Sequence, residues 1–147
     1  MRYPILISIF LFTLFSACKK DEFATAPSLK FKSVNTTTLR TGQQIQFTLS
    51  FTDAEGDLSN KMYVEEIAPG CALSSFTDSY PIPGFPSTKN QKGDITVTFG
   101  FNSTNIGLAN ISPKCQKNDT AVFRFALTDL ASNTSDTVSS PPIILVY

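Results

Sequence analysis

Three carboxylates alternate along one short segment and could bind a hard cation. Asp53, Glu55 and Asp57 follow an apolar run, with Gly56 between the last two. Carboxylate oxygens are the ligands that calcium prefers in proteins. The segment lacks the glutamate at the twelfth position that completes a helix–loop–helix calcium site. The alternative is structural: Asp53 and Asp57 would cap turns through their side chains, and Gly56 would adopt a left-handed backbone conformation.

A second candidate site is the aromatic and proline-rich segment 76–92. Phe76, Tyr80 and Phe85 alternate there with Pro81, Pro83, Gly84 and Pro86. A loop stiffened by proline loses little entropy on binding, and aromatic side chains are frequent anchors of protein contacts. Two interpretations stay open. The three aromatic residues bind a protein or a glycan, or they pack over the edge of the domain.

The composition excludes the most familiar catalytic centres. None of the 147 residues is histidine, so the commonest general base near neutral pH and the commonest zinc ligand are both missing. Ser-His-Asp and Cys-His nucleophile systems are therefore impossible. A carboxylate-only hydrolase would need two carboxyl groups roughly 5 to 10 Å apart in one cleft. We expect no enzyme, and no cofactor other than calcium.

The N-terminal residues have the layout of a secretory signal. Arg2 supplies a positive charge, the segment 5–15 is almost wholly apolar, and the small residues Ser16 and Ala17 precede Cys18. The apolar segment is shorter than the roughly twenty residues that a transmembrane helix requires. We therefore expect residues 1–17 to be a removable export signal.

The residues that end this signal resemble the bacterial lipoprotein signal. Positions 14–18 read Leu-Phe-Ser-Ala-Cys, with Phe15 where leucine is usual. The resemblance implies cleavage before Cys18 and lipid on that cysteine, so that residues 18–27 form a tether. Two or three acyl chains would hold the protein on a membrane, because each buried CH₂ contributes roughly 0.8 kcal/mol. The alternative is an ordinary secretory signal followed by a chance cysteine.

The charged residues after Cys18 carry a further resemblance. Lys20, Asp21 and Glu22 resemble the surface-export signal of Bacteroidota-type lipoproteins. This resemblance implies an outer-membrane lipoprotein whose domain is exposed at the cell surface. The alternative is that these residues belong to a solvated linker.

Apolar residues recur at every second position in three segments of the remaining chain, 28–147. This spacing places them on one face of a β-strand, and the three segments are 45–51, 95–101 and 123–127. Weaker strand candidates are 29–34, 61–67 and 143–147, with a seventh strand at 73–80 or at 136–139. Residues 106–111 could form a single helical turn.

About seven short strands in one domain predict an all-β fold, an antiparallel β-sandwich of the immunoglobulin-like type. An open barrel is the alternative. The segments Gly42–Phe47, Phe51–Leu58 and Phe125–Ser135 resemble the immunoglobulin-like domains of bacterial surface lipoproteins. The core tryptophan of antibody domains is absent, so we infer no kinship with antibodies.

The immunoglobulin-like topology bears on the two remaining cysteines. Cys71 would follow one strand, and Cys115 would precede an antiparallel neighbour of that strand. In an oxidising compartment such a pair is expected to form a disulfide. The alternative, a reactive thiol or a metal pair, lacks histidine or further cysteine to complete a site.

The same topology extends the candidate calcium site. The loop after the strand at 123–127 would lie at the same end of the sandwich as Asp53. Asp129 would thereby approach Asp53, Glu55 and Asp57, and Asp136 could also lie nearby.

Together these features predict a membrane-anchored, non-catalytic lipoprotein that binds a protein or glycan partner or serves as an accessory module. The absence of tryptophan weakens the glycan alternative. A purely structural envelope component is the rival, expected if the surface has no pocket or apolar patch. Acidic and basic residues balance at twelve each, so a nucleic-acid partner is not expected.

Overall fold

The computed structural model describes residues 23–58, 60–84, 86–105 and 107–147. The predictions for residues 1–22, including lipid attachment at Cys18, and the predicted role of Phe85 lie outside these ranges. The described ranges contain no helix that could serve as a membrane span. The described chain forms ten strands: β1 (Ser28–Val34), β2 (Thr38–Arg40), β3 (Gln44–Asp53), β4 (Lys61–Ile67), β5 (Phe76–Pro81), β6 (Gln91–Phe101), β7 (Ala109–Ile111), β8 (Asp119–Thr128), β9 (Val138–Ser139) and β10 (Ile143–Val146).

The strands form two sheets, and the predicted all-β sandwich is confirmed. The smaller sheet has the order β1-β3-β6-β7, and the larger has the order β2-β10-β8-β4-β5, with β9 paired to β8. Most pairings are antiparallel, as predicted. Two edge pairings are parallel instead, β10 with β2 and β6 with β7.

The core forms where the inward faces of the two sheets meet. Ile45, Phe47 and Leu49 of β3 are fully buried, and the residues between them are more exposed. The ring of Phe47 lies 4.9 Å from that of Phe123 and 5.1 Å from that of Phe125, both on β8 of the opposite sheet. Tilted aromatic pairs of this kind add to the stabilisation from burial alone.

The structure corrects several details of the predicted strands. Both candidates for a seventh strand are strands, β5 and β9. The predicted helical turn at 106–111 is wrong, because Ala109–Ile111 form β7 in parallel register with Phe99–Phe101 of β6. The segment 76–92 is not one long loop, since its first residues form β5. β2 was not predicted, because three residues are too few to show a period of two.

The predicted disulfide between Cys71 and Cys115 is confirmed. The two Cα atoms lie 5.9 Å apart. β4 and β8 are antiparallel neighbours, so the residues after β4 lie near those before β8. A short 3₁₀ helix, Ala72–Ser74, follows the first cysteine. In the chain-entropy model this disulfide stabilises the fold by roughly 4 kcal/mol, because it closes a loop in the unfolded chain.

Two carboxylates continue the inward-facing rows at opposite ends of the sandwich. Asp53 ends β3, and its position follows Phe51 in the buried alternation. Glu66 follows Val64 in the corresponding row of β4. Asp53 lies at the end where β4 begins and β8 ends, whereas Glu66 lies where β4 ends.

Candidate functional site

Three of the predicted calcium ligands come together at one end of the sandwich. Asp53, Asp57 and Asp129 each offer a carboxylate oxygen, and these oxygens lie within 4.8 Å of one another. Asp53 and Asp129 are fully buried, and Asp57 is half-buried. Glu55 and Asp136 are exposed and lie outside this group. We call Asp53, Asp57 and Asp129 the acidic cluster.

Hydrogen bonds hold the turn after β3. The Oδ2 atom of Asp53 accepts the backbone N–H groups of Gly56 (2.6 Å) and Asp57 (3.0 Å). Gly56 has a φ of 71°, and a Cβ atom at this position would collide with the carbonyl of Thr88. The turn-capping interpretation of Asp53 therefore holds for one of its two oxygens.

Other oxygens of the cluster have no such partner. Among the described atoms, Oδ1 of Asp53 and Oδ1 of Asp57 are buried and accept no hydrogen bond. Asp129 differs, because its two oxygens accept the backbone N–H (2.7 Å) and the side-chain amide (2.9 Å) of Asn133. Asn133 thus fixes the orientation of the Asp129 carboxylate.

Sequence reasoning missed a neutral neighbour of the cluster. Gln91 is the cross-strand partner of Asp53 in the antiparallel β3–β6 pair, so both side chains leave the sheet on one face. Its Oε1 atom is also buried without a hydrogen-bond partner in the described structure. Only the register of β3 with β6 identifies this residue, and no local sequence pattern specifies that register.

The surroundings of Asp53 disfavour its negative charge. Burial raises the pKa of Asp53, and the neighbouring carboxylates of Asp57 and Asp129 raise it further. The N–H donors of Asp57 and Gly56 act in the opposite direction and favour the charged form. A bound cation would relieve this repulsion.

The aromatic residues of the second candidate site pack against the core. The ring of Phe76 lies 6.1 Å from that of Phe99 on β6, and the ring of Tyr80 lies 5.7 Å from it. Both residues belong to the strand β5 rather than to an outward-facing loop. This arrangement is the packing alternative of the sequence analysis, although Tyr80 also borders open space.

That space is an apolar cleft between the two sheets. Its volume is about 230 Å³, and it opens where β5 of the larger sheet faces β6 and β7 of the smaller. Among the described residues that line it, none is charged. The main lining side chains are Met62, Tyr80, Ile82, Val97, Phe99 and Leu108. We call this space the edge cleft.

A buried glutamate at the other end of the sandwich was not predicted. Glu66 is 1% exposed, and neither of its carboxyl oxygens has a hydrogen-bond partner among the described residues. Burial, together with the nearby charge of Asp119, raises the pKa of Glu66 to about 8. The sequence signal was its place in the inward row of β4, after Met62 and Val64.

Comparisons with known proteins describe the fold only. No known family profile matches the chain, and no curated protein sequence matches it. A Niemann-Pick type C2 protein from the Japanese carpenter ant superposes with a TM-score of 0.45 and 11% identity, over 84% of this chain and 97% of that protein. The sporulation control protein Spo0M from Bacillus subtilis superposes with a TM-score of 0.47 and 10% identity, over 84% of this chain. The chain spans about half (51%) of the length of that protein.

Proposed function

We propose that this chain is a membrane-anchored, non-catalytic binding module that captures a protein partner through the edge cleft. The cleft carries the proposal, because an opening into the core of a small sandwich exposes apolar surface that folding would otherwise bury. The lipoprotein signal ending at Cys18 supports attachment to the bacterial outer membrane, with the domain facing the cell exterior.

The size and lining of the edge cleft favour a side chain of a protein over a glycan. Small-molecule sites usually measure roughly 300 to 1,000 Å³, and this cleft, at about 230 Å³, is smaller. The described lining residues with polar side chains are Tyr80, Thr96 and Thr98, and the two threonines alternate along β6 with the inward-facing Val97 and Phe99. A sugar needs more hydrogen-bonding groups than these, whereas an aliphatic or aromatic side chain needs none.

The strand beside the cleft supports a protein partner. β5 ends the larger sheet and pairs with β4 along one edge, and no described strand pairs with its other edge. An extended peptide can add a strand to such an edge through backbone hydrogen bonds, with alternate side chains entering neighbouring pockets. The edge cleft lies where one of those side chains would enter.

Two rival functions find less support in this region. A carboxylate-dependent hydrolase needs an acid and a base in one cleft, and no described carboxylate lines this one. A purely structural component would have no reason to keep an apolar opening between its sheets.

Photo-cross-linking in intact cells tests the proposal. Leu108, which lines the cleft, is replaced by a photoactivatable phenylalanine analogue, and the adduct is identified by mass spectrometry. Leu73 is 78% exposed and lies away from the cleft, so the same replacement there is the matched control. We expect one defined protein adduct from the analogue at position 108, and we expect the analogue at position 73 not to form that adduct.

A second pair of variants checks that the cleft itself makes the contact. Leu108→Glu should abolish the adduct formed from an analogue at Tyr80, while Leu73→Glu should preserve it. Adducts only with lipid or glycan, or equal adducts from both positions, would contradict a protein partner in this cleft.

A further inference from the structure

We propose that the acidic cluster of Asp53, Asp57 and Asp129 binds one calcium ion. The inference is independent of the edge cleft and its partner. It rests on three carboxylates that the fold brings together, and on a buried oxygen of Asp53 and one of Asp57 that accept no hydrogen bond among the described residues.

The unpartnered oxygens are the first step of the argument. Buried polar atoms in folded proteins nearly always have a partner, and a buried carboxylate oxygen without one is costly. Asp53 is fully buried, yet its Oδ1 atom accepts no hydrogen bond, and the same holds for Oδ1 of Asp57 and Oε1 of Gln91. These three oxygens are acceptors left without a donor among the described residues, and a cation would satisfy them.

Geometry is the second step. Calcium binds oxygens at about 2.3 to 2.6 Å, so two ligands on opposite sides of one ion are separated by about 5 Å. One carboxylate oxygen of each aspartate lies within 4.8 Å of the corresponding oxygens of the other two, so one ion can contact all three residues. Magnesium demands near-ideal octahedral geometry and retains several waters, so a cluster of buried protein oxygens suits calcium better.

Preorganisation is the third step. The carboxylate of Asp129 is fixed by Asn133, and that of Asp53 is fixed by the N–H groups of Gly56 and Asp57. Binding therefore requires little further ordering of these side chains. Gln91 offers a neutral amide oxygen from the face that carries Asp53, and water completes the coordination shell.

The position of the site suggests what the ion would do. It would join the loop after β3 to the loop after β8, and these strands belong to different sheets. The tether also meets this end of the domain, since the N–H of Ala54 donates to the carbonyl of Ala24 at 3.1 Å. Calcium would thus fasten the two sheets together beside the point where the chain enters the domain.

Calorimetry and thermal unfolding of the full chain, stripped of metal by chelation, test the proposal. We expect heat of binding with a dissociation constant on the order of 0.1 to 1 mM, the range of extracellular calcium modules. At about 10 mM calcium the unfolding midpoint should rise by roughly 5 °C, and magnesium should have a much smaller effect.

Matched variants separate ion binding from turn capping. Asp53→Asn keeps an acceptor for the turn but removes one charge of the cluster, so it should raise the midpoint of the metal-free protein and abolish the calcium shift. Asp57→Asn should also abolish the calcium shift, and this variant replaces Asp53→Asn in the test if Asp53→Asn fails to fold. Glu55→Gln also removes one negative charge, but from the exposed side of the loop, so this variant should keep the full calcium shift of the midpoint.

Two results would overturn the site. One is wild-type protein that gives no heat with calcium and an unchanged midpoint. The other is an equal loss of the calcium shift in Glu55→Gln and Asp57→Asn, which would reveal general charge screening rather than binding by the cluster.

Discussion

Replacing Glu66 by glutamine should remove a large pH dependence from the stability of the domain. The pKa of this carboxyl is about 8 in the folded chain against an ordinary value of 4.5, chiefly because the group is buried and secondly because Asp119 lies nearby. The folded protein therefore retains a proton that the unfolded chain releases above pH 4.5. Each pH unit between the two values lowers the free energy of unfolding by about 1.4 kcal/mol.

The direction and size of the effect follow from this linkage. The stability is full below about pH 4.5, falls as the pH rises, and levels off above about pH 8, with a total loss of about 5 kcal/mol. Glu66→Gln cannot ionise and should lack this slope. Between about pH 5 and pH 8 the variant should therefore gain about 4 kcal/mol relative to the wild type.

Urea unfolding followed by circular dichroism at several pH values measures the difference. Comparison of the two proteins cancels the titration of every group that they share. Glu65→Gln removes the same charge from the outward face of β4, where Glu65 pairs with Arg124 at 2.9 Å, and controls for net charge. Parallel stability curves for the wild type and Glu66→Gln would refute a buried, protonated Glu66.

Three further predictions concern other residues. Replacing Cys71 and Cys115 by serine should lower the free energy of unfolding by roughly 4 kcal/mol, measured by urea unfolding, and a reductant should then leave the variant unchanged while destabilising the wild type. Gly56→Ala should lower the stability by at least about 1 kcal/mol, because its φ of 71° is unfavourable for alanine and the new Cβ would meet Thr88; a midpoint equal to that of the wild type would contradict this. Cys18→Ser should abolish incorporation of labelled fatty acid and release the chain from the membrane fraction, and unchanged labelling would exclude Cys18 as the lipid site.

The long strands were predictable from sequence because one face of each is buried. Ile45, Phe47 and Leu49 alternate with polar residues over ten residues of β3, which is long enough for a period of two to appear. The three-residue strands β2 and β7 show no such period. β2 is held by parallel pairing with β10 at the far end of the chain, and β7 by parallel pairing with β6, so the information that specifies each strand lies outside its own residues.

The residues of the candidate sites also differ in whether a local sequence pattern identifies them. Asp53 and Asp57 were identified from their spacing, and Asp129 from the topology of the sandwich. Glu55 shares the spacing but faces solvent, since neighbouring residues in a turn point in different directions. Gln91 depends on the register of β3 with β6, and the edge cleft depends on side chains from both sheets, so neither could be read from a local pattern.

Asp53 and Glu66 occupy equivalent places in the fold but have different surroundings. Each continues an inward-facing row into a strand end, and each is almost fully buried. Asp53 has two N–H donors and two further carboxylates nearby, so its negative form is partly supported and a cation can complete the balance. Glu66 has no donor among the described residues, so a proton is the simpler solution.

This difference predicts that calcium and pH act independently on stability. Asp129 directly follows β8, which pairs with the start of β4 at Lys61, whereas Glu66 lies five residues further along β4, roughly 16 Å away at 3.3 Å per residue. Effects at sites this far apart usually add. Calcium should therefore raise the free energy of unfolding of the wild type and of Glu66→Gln by the same amount at a fixed pH near 7, measured by urea unfolding. A gain in free energy that differed between the two proteins would mean that the two ends of the sandwich are coupled through the core.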